Sequence, residues 1–263
     1  MKRALLIALL TLLPVLCLAH DGGPLKFLGI PIDGSELQFS AKLKAKGFTY
    51  NTITESYKGQ FNGKTVDVYI HTNHNVVDRV CVVFPLTNED GIREEYNRLL
   101  EQFKNTGKYL DLSMNENIPE DDNISYEISI KNKRYQASFY YYDFNNDRVT
   151  FMNALMDKVA DFFTEEQLEK LKEYSIKSND ATEDQIQSLL AEMMAEMENM
   201  GIGHNENGEA DPAKAIQFYL AFIDGMRSLA DGDVWFMIHE QYGRYQIALY
   251  YDNLHNQANG EDL

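Results

Sequence analysis

Residues 48–84 place the tightest constraint on what this chain can become. Val66, Val68 and Ile70 alternate with Asp67 and Tyr69, the period of a strand with one buried face. Just ahead of them, Asn62-Gly63 is a type I′ hairpin signal, because both positions tolerate the positive φ that this turn requires. A polar loop from His71 to Asn75 then leads to a further strand ending at Pro85. The segment is expected to form an antiparallel meander.

Helix signals flank the meander. Ser35-Glu36-Leu37-Gln38 reads as a capping box, in which a hydroxyl and an amide satisfy free N–H groups at a helix start. Leu37, Phe39, Ala41, Leu43 and Ala45 alternate as a strand would. The cap and the richness in Ala, Leu and Lys favour a helix over 35–46, ending at Gly47. A second box, Thr87-Asn88-Glu89-Asp90, opens a helix with Ile92, Tyr96, Leu99, Leu100 and Phe103 on one stripe. Residues 111–123 are polar and acidic and read as a connection. A hairpin is expected next, with Tyr126, Ile128 and Ile130 on one strand, a turn at Asn132-Lys133, and Tyr135, Ala137, Phe139 and Tyr141 on the other.

From 150 to 230 the pattern is mostly helical. Phe151, Leu155, Val159 and Phe162 share a face. Thr164-Glu165-Glu166-Gln167 and Thr182-Glu183-Asp184-Gln185 are further capping boxes, and Asp211-Pro212 pairs an N-cap with proline at the first helical position. A last hairpin runs from Val234 to Asp252. These elements make an α+β fold, an antiparallel meander and hairpins with helices packed on the sheet, as one domain or two similar α/β lobes. The expected divisions are a signal peptide at 1–19, an N-terminal α+β unit at 20–110, and a C-terminal unit at 111–263 with two hairpins around the helical segment. The hairpins share five of eight residues between Arg134–Tyr141 and Arg244–Tyr251. Duplication and convergence on a good strand sequence both explain that match.

Lys2 and Arg3 precede an apolar run from Ala4 to Ala19 broken only by Thr11 and Pro14. This is the pattern of a secretory signal peptide cleaved near Ala19, and the run is short for a membrane span. Cys17 follows bulky Leu16, which argues against a lipid attachment site. Export to the periplasm or the cell exterior is expected, with no integral membrane segment. Loss of Cys17 would leave Cys81 alone and no intramolecular disulfide. Arg79-Val80-Cys81-Val82-Val83-Phe84 then reads as a strand with Cys81 as a buried, inert thiol. The chain carries 24 Lys and Arg against 41 Asp and Glu, for a net charge of −17. Such an excess repels phosphate backbones and anionic lipid surfaces, which disfavours nucleic acid as a partner.

Phe27-Leu28-Gly29-Ile30-Pro31-Ile32-Asp33-Gly34 and Leu43-Lys44-Ala45-Lys46-Gly47-Phe48 resemble the start of uncharacterised exported proteins of gut anaerobic bacteria. Tyr250-Tyr251-Asp252-Asn253 and Asn259-Gly260-Glu261-Asp262-Leu263 resemble their ending. The resemblance implies a bacterial exported setting and carries no activity or site residues with it.

The sequence holds no Gly-rich phosphate loop, nucleophile elbow or zinc-protease helix motif. His71 and His74 supply two possible ligands where zinc needs three or four. Asp143-Phe144-Asn145-Asn146-Asp147 has the alternating oxygens of a calcium loop but meets Arg148 where glycine belongs and Ala154 where the last glutamate belongs. No metal or cofactor is expected. Met193 and Met197 with Ile186 and Leu190 make a helical stripe that suits a core, or an adaptable partner groove.

Tyrosine is the strongest surface clue, with 16 in the chain. Strand alternation puts Gln136, Ser138, Tyr140 and Tyr142 on one face, Gln246, Ala248 and Tyr250 on a matching face, and Trp235, Met237 and His239 together. Small polar residues between aromatic ones suit contact surfaces, and the other reading is that helices from 150–230 cover this face. The expected ligand-binding residues are therefore Tyr140, Tyr142, Trp235, His239 and Tyr250, in a non-catalytic exported module for a protein, peptide or glycan. The alternative is a hydrolase assembled from His239 and scattered carboxylates.

Overall fold

The computed structural model describes residues 23–143, 148–178 and 211–257, with isolated helical positions at 185, 188 and 192. The expected signal segment, the Thr182 capping box, the methionine stripe, most of the calcium-like loop and the C-terminal tail lie outside the described residues. The chain forms two compact units, one from Gly23–Tyr142 with Asp231–Leu263, the other containing Asp143–Ala230.

The first unit is built on one antiparallel sheet. Its strands are β3 (Thr49–Asn51), β4 (Ser56–Phe61), β5 (Lys64–Asn73), β6 (Val76–Val83), β7 (Gln136–Tyr141), β8 (Gly232–Gln241) and β9 (Arg244–Asn253). They lie in the order β3-β4-β5-β6-β9-β8-β7. A small ribbon of β1 (Lys26–Phe27) and β2 (Ile30–Pro31) completes the strands. The large sheet draws strands from both sides of the expected boundary after residue 110, because β6 of the meander pairs with β9 of the last hairpin.

The meander forms as its punctuation demands. Asn62 and Gly63 adopt φ of 50° and 76°, which closes the β4–β5 hairpin in two residues. The expected polar loop from His71 to Asn75 is shorter than anticipated. β5 runs on to Asn73, and His74 and Asn75 take φ of 49° and 64° in a tight turn. A β-bulge between His71 and Thr72 shifts the register there, an irregularity that period-two reading cannot foresee.

Among the described residues three helices belong to this unit: α1 (Glu36–Ala45), α2 (Glu89–Asn105) and α3 (Ile124–Ser129). Ser35 caps α1 by accepting from the Gln38 N–H, and Gly47 ends the turn at φ 92°. The cap of α2 is Asn88, which accepts from the Gly91 N–H, whereas Thr87 bridges to Tyr245. Ile92, Tyr96, Leu99, Leu100 and Phe103 of α2 are buried as expected. They join Phe39, Leu43, Ile124, Val66, Val68, Val80, Val82, Phe139, Phe236, Ile247 and Leu249 in one core on one side of the sheet.

The expected hairpin over 126–141 does not form. Asn123 caps α3 by accepting from the Tyr126 N–H, so 124–129 is helical. Alternation at Tyr126, Ile128 and Ile130 is equally compatible with one helical turn that buries Ile124 and leaves Tyr126 and Ile130 exposed. β7 pairs instead with β8. The two similar segments thus flank the same strand, β7 on one side and β9 on the other.

The second unit is helical where described: α4 (Arg148–Lys158), a 3₁₀ turn (Ala160–Phe162), α5 (Glu165–Ser178) and α6 (Pro212–Ser228). The Thr164 capping box forms reciprocally, the Gln167 side chain accepting from the Thr164 N–H at 2.9 Å and Thr164 Oγ1 from the Gln167 N–H at 3.3 Å. Asp211 caps α6 ahead of Pro212, as its sequence implies. Phe218 meets Phe162 and Phe163 edge-on, with ring centroids 5.4 and 5.9 Å apart. Among the described residues no helix is long and apolar enough to cross a membrane.

Candidate functional site

The face of the large sheet turned away from the first unit's core carries the expected aromatic residues. Register fixes their neighbours: Ser138 and Tyr250 stand on either side of Trp235, Tyr140 beside Asp233, Met237 beside Ala248, and His239 beside Gln246. Cys81 and Arg79 of β6 extend the same face beside Tyr250 and Asp252. Tyr140, Trp235, Met237, His239 and Tyr250 are all half-buried. The inward partners on the same strands, Phe139, Phe236 and Leu249, are fully buried.

Asp252 organises the centre of this face. Its two carboxylate oxygens accept from Arg79 Nε at 2.6 Å and a second guanidinium nitrogen at 2.9 Å, and from Trp235 Nε1 at 2.9 Å. The Asp252 side chain is only 4% exposed, and a buried carboxylate is tolerated when donors surround it. The charge-assisted bonds raise the pKa of Arg79 still further. They also lock the indole. Trp235 stacks on Tyr250 with ring centroids 4.0 Å apart and planes 13° from parallel. The guanidinium carbon of Arg79 lies 5.7 Å from the Tyr250 ring centre. The result is a fixed block of two rings and one cation standing across β8, β9 and β6.

Cys81 was expected to be buried. It is half-buried on this face, opposite Tyr250 in the register. Burial pushes the thiol up to about 11, so it is neutral at neutral pH and a poor nucleophile. Burial and the neighbouring Cys81 also raise Tyr250 to about 12.

The free edge of β7 is covered, which holds Ser138 and Tyr140 in place. Leu110 exchanges two backbone hydrogen bonds with Tyr140 at 2.8 and 2.9 Å. The Asn115 side chain imitates a strand: its Oδ1 accepts from the Ser138 N–H at 3.1 Å, and its amide donates to the Ser138 carbonyl at 2.8 Å. Asp111 orients Asn115 by accepting from the same amide at 2.6 Å.

Of the five residues expected at a site, Tyr140, Trp235, His239 and Tyr250 share this face. Tyr142 follows β7, which ends at Tyr141, and is 2% exposed. Sequence reading missed Arg79 and Asp252. The available signal was spacing: Asp252 lies two residues beyond Tyr250 on one strand, and Arg79 interrupts an otherwise apolar one.

His239 stands opposite Gln246, and the adjacent Glu240 alternates to the other side and accepts from the Gly243 N–H at 2.6 Å. His71 Nδ1 lies 2.7 Å from Asp78 and His255 Nε2 lies 2.7 Å from Asp231. Among the described residues no three His, Cys, Asp or Glu side chains gather as a metal site. No family model, curated protein or solved structure matches the chain.

Proposed function

We propose that this protein is a non-catalytic, exported binding module, and that the aromatic face of its sheet receives a protein, peptide or glycan. The observation that carries the reading is the stacked pair of Trp235 and Tyr250 on adjacent strands, with Tyr140 on the same face and Asp252 fixing the indole from within it. Rigid, half-exposed aromatic rings offer contact area and hydrogen bonds at low entropic cost. Export and a bacterial setting belong to the same proposal and rest on the N-terminal pattern and the resemblance of both ends. The hydrolase alternative has less support, since His239 faces Gln246 and the carboxylate next to it is engaged elsewhere.

The test is capture from the native cell envelope with the wild-type chain and with Tyr140→Ala and Tyr250→Ala. Each variant is expected to weaken capture by roughly 1–3 kcal/mol while retaining its fold. Capture unaffected by both substitutions in well-folded protein removes the face from the binding account.

A further inference from the structure

We infer that the edge of the large sheet at β3 takes up an extended acidic peptide segment as an additional strand. This inference is independent of the aromatic face. The sheet has two edges, and the chain treats them differently. Leu110 and the Asn115 side chain cover β7. β3 pairs with β4 through Thr49, Tyr50 and Asn51, and among the described residues no other backbone hydrogen bond reaches these three. Thr49 and Tyr50 are exposed and Asn51 is half-buried. An edge strand turns alternate N–H and C=O groups outward, a template for an incoming strand. β3 itself carries no charge, proline or bulge to discourage one.

The charge around this edge selects the incoming strand. The chain has a net charge of −17, yet from Leu37 to Val66 it holds five lysines against one acid, Glu55. Lys42 and Lys44 lie in the last turn of α1, and Lys46 is its C-cap, just ahead of β3. Lys44 Nζ stands 5.9 Å from the centre of the Tyr57 ring, and Tyr57 is the cross-strand partner of Tyr50. Lys58 is the cross-strand partner of Thr49, so it flanks the edge on the other face of the sheet. Its neighbour on β5, Asp67, accepts from Ser56 Oγ at 3.1 Å. Among the described residues none of Lys42, Lys44, Lys46 and Lys58 forms an ion pair, and all four are exposed. A second copy docked through its own β3 would bring the same lysines together, which is repulsive. A strand with acidic side chains on both faces meets Lys44 on one and Lys58 on the other. Because β3 spans only three residues, these charges must supply part of the affinity.

The probe is a fluorescein-labelled peptide, Ac-EVEVTVE-NH2, titrated into the full chain by fluorescence anisotropy. Saturable binding is expected, weakened by added salt, together with slowed amide exchange within Thr49–Asn51. Lys44→Gln and Lys58→Gln, both at exposed positions, are each expected to weaken binding roughly 1.4- to 5-fold. The charge-reversed peptide Ac-KVKVTVK-NH2 should bind far more weakly. The acidic peptide N-methylated at every residue, which keeps its charge and loses its backbone donors, should not bind. Absence of saturable binding overturns the inference. So does equal binding of the basic or the N-methylated peptide, or bound peptide that leaves exchange within Thr49–Asn51 unchanged. Self-association of the chain that protects these same amides would assign the edge to a second copy and overturn it too.

Discussion

Asp252 receives three donors on two oxygens, and two of its partners, Arg79 and Trp235, arrive from the strands on either side of β9. That makes it the residue on which the aromatic face depends. Asp252→Asn removes the charge and one acceptor, leaving Arg79 and Trp235 to compete for a single oxygen. The substitution is expected to cost about 1.5–3 kcal/mol of stability, the range for hydrogen bonds to charged groups, read as a lower urea midpoint. It should also shift the emission of Trp235, the chain's one tryptophan. Cys81 gives a pH prediction. Its native thiol titrates near 11 against an ordinary 9.0, so the unfolded chain ionises first as pH rises. The contribution is fully present below about pH 9 and is lost progressively towards about pH 11. Urea midpoints across that window should fall more steeply for the wild type than for Cys81→Ser. Thiol labelling of the native chain at neutral pH should be slow despite partial exposure.

At the scale of elements, Asn115 does the work of a missing strand. Its amide pairs with both backbone groups of Ser138, so β7 ends the sheet without a bare edge. Asn115→Ala should leave those two groups exposed to solvent or unpaired, cost about 1–3 kcal/mol, and speed amide exchange at Ser138 most of all. Gly59 is a second such position. A Cβ there would lie 2.4 Å from the Phe48 ring, so Gly59→Ala should cost about 1–3 kcal/mol by overpacking. A thermal midpoint equal to the wild type would show that Phe48 gives way freely. The meander, α2 and the last hairpin were legible in the sequence because caps, turn residues and periodicity agreed there, and α1 because its cap and composition outweighed a strand-like alternation. The first hairpin was not. Tyr126, Ile128 and Ile130 fit either period over so short a span, and the Asn123 cap decided for helix. Nor did the local pattern reveal that Arg134–Tyr141 would pair with β8, because strand partners distant in sequence leave no periodic trace.

At the scale of the whole molecule, the large sheet is completed by residues from both ends of the described chain, through the pairing of β6 with β9. The aromatic face exists only once that pairing forms, because Arg79 and Asp252 meet across it. Four of the five expected site residues share the face, since period two is robust inside a strand. Tyr142 lies one residue beyond the strand and is buried, and strand ends are what alternation defines least well. The most direct test of the account is a titration of Trp235 fluorescence with the envelope component captured by the wild-type protein. A single saturable change is expected, lost or weakened in Tyr250→Ala, whose thermal midpoint should fall by only the small amount due to one lost ring stack. Saturable binding that leaves Trp235 emission untouched, or a Tyr250→Ala chain that no longer folds, would contradict the claim that this face is the working surface.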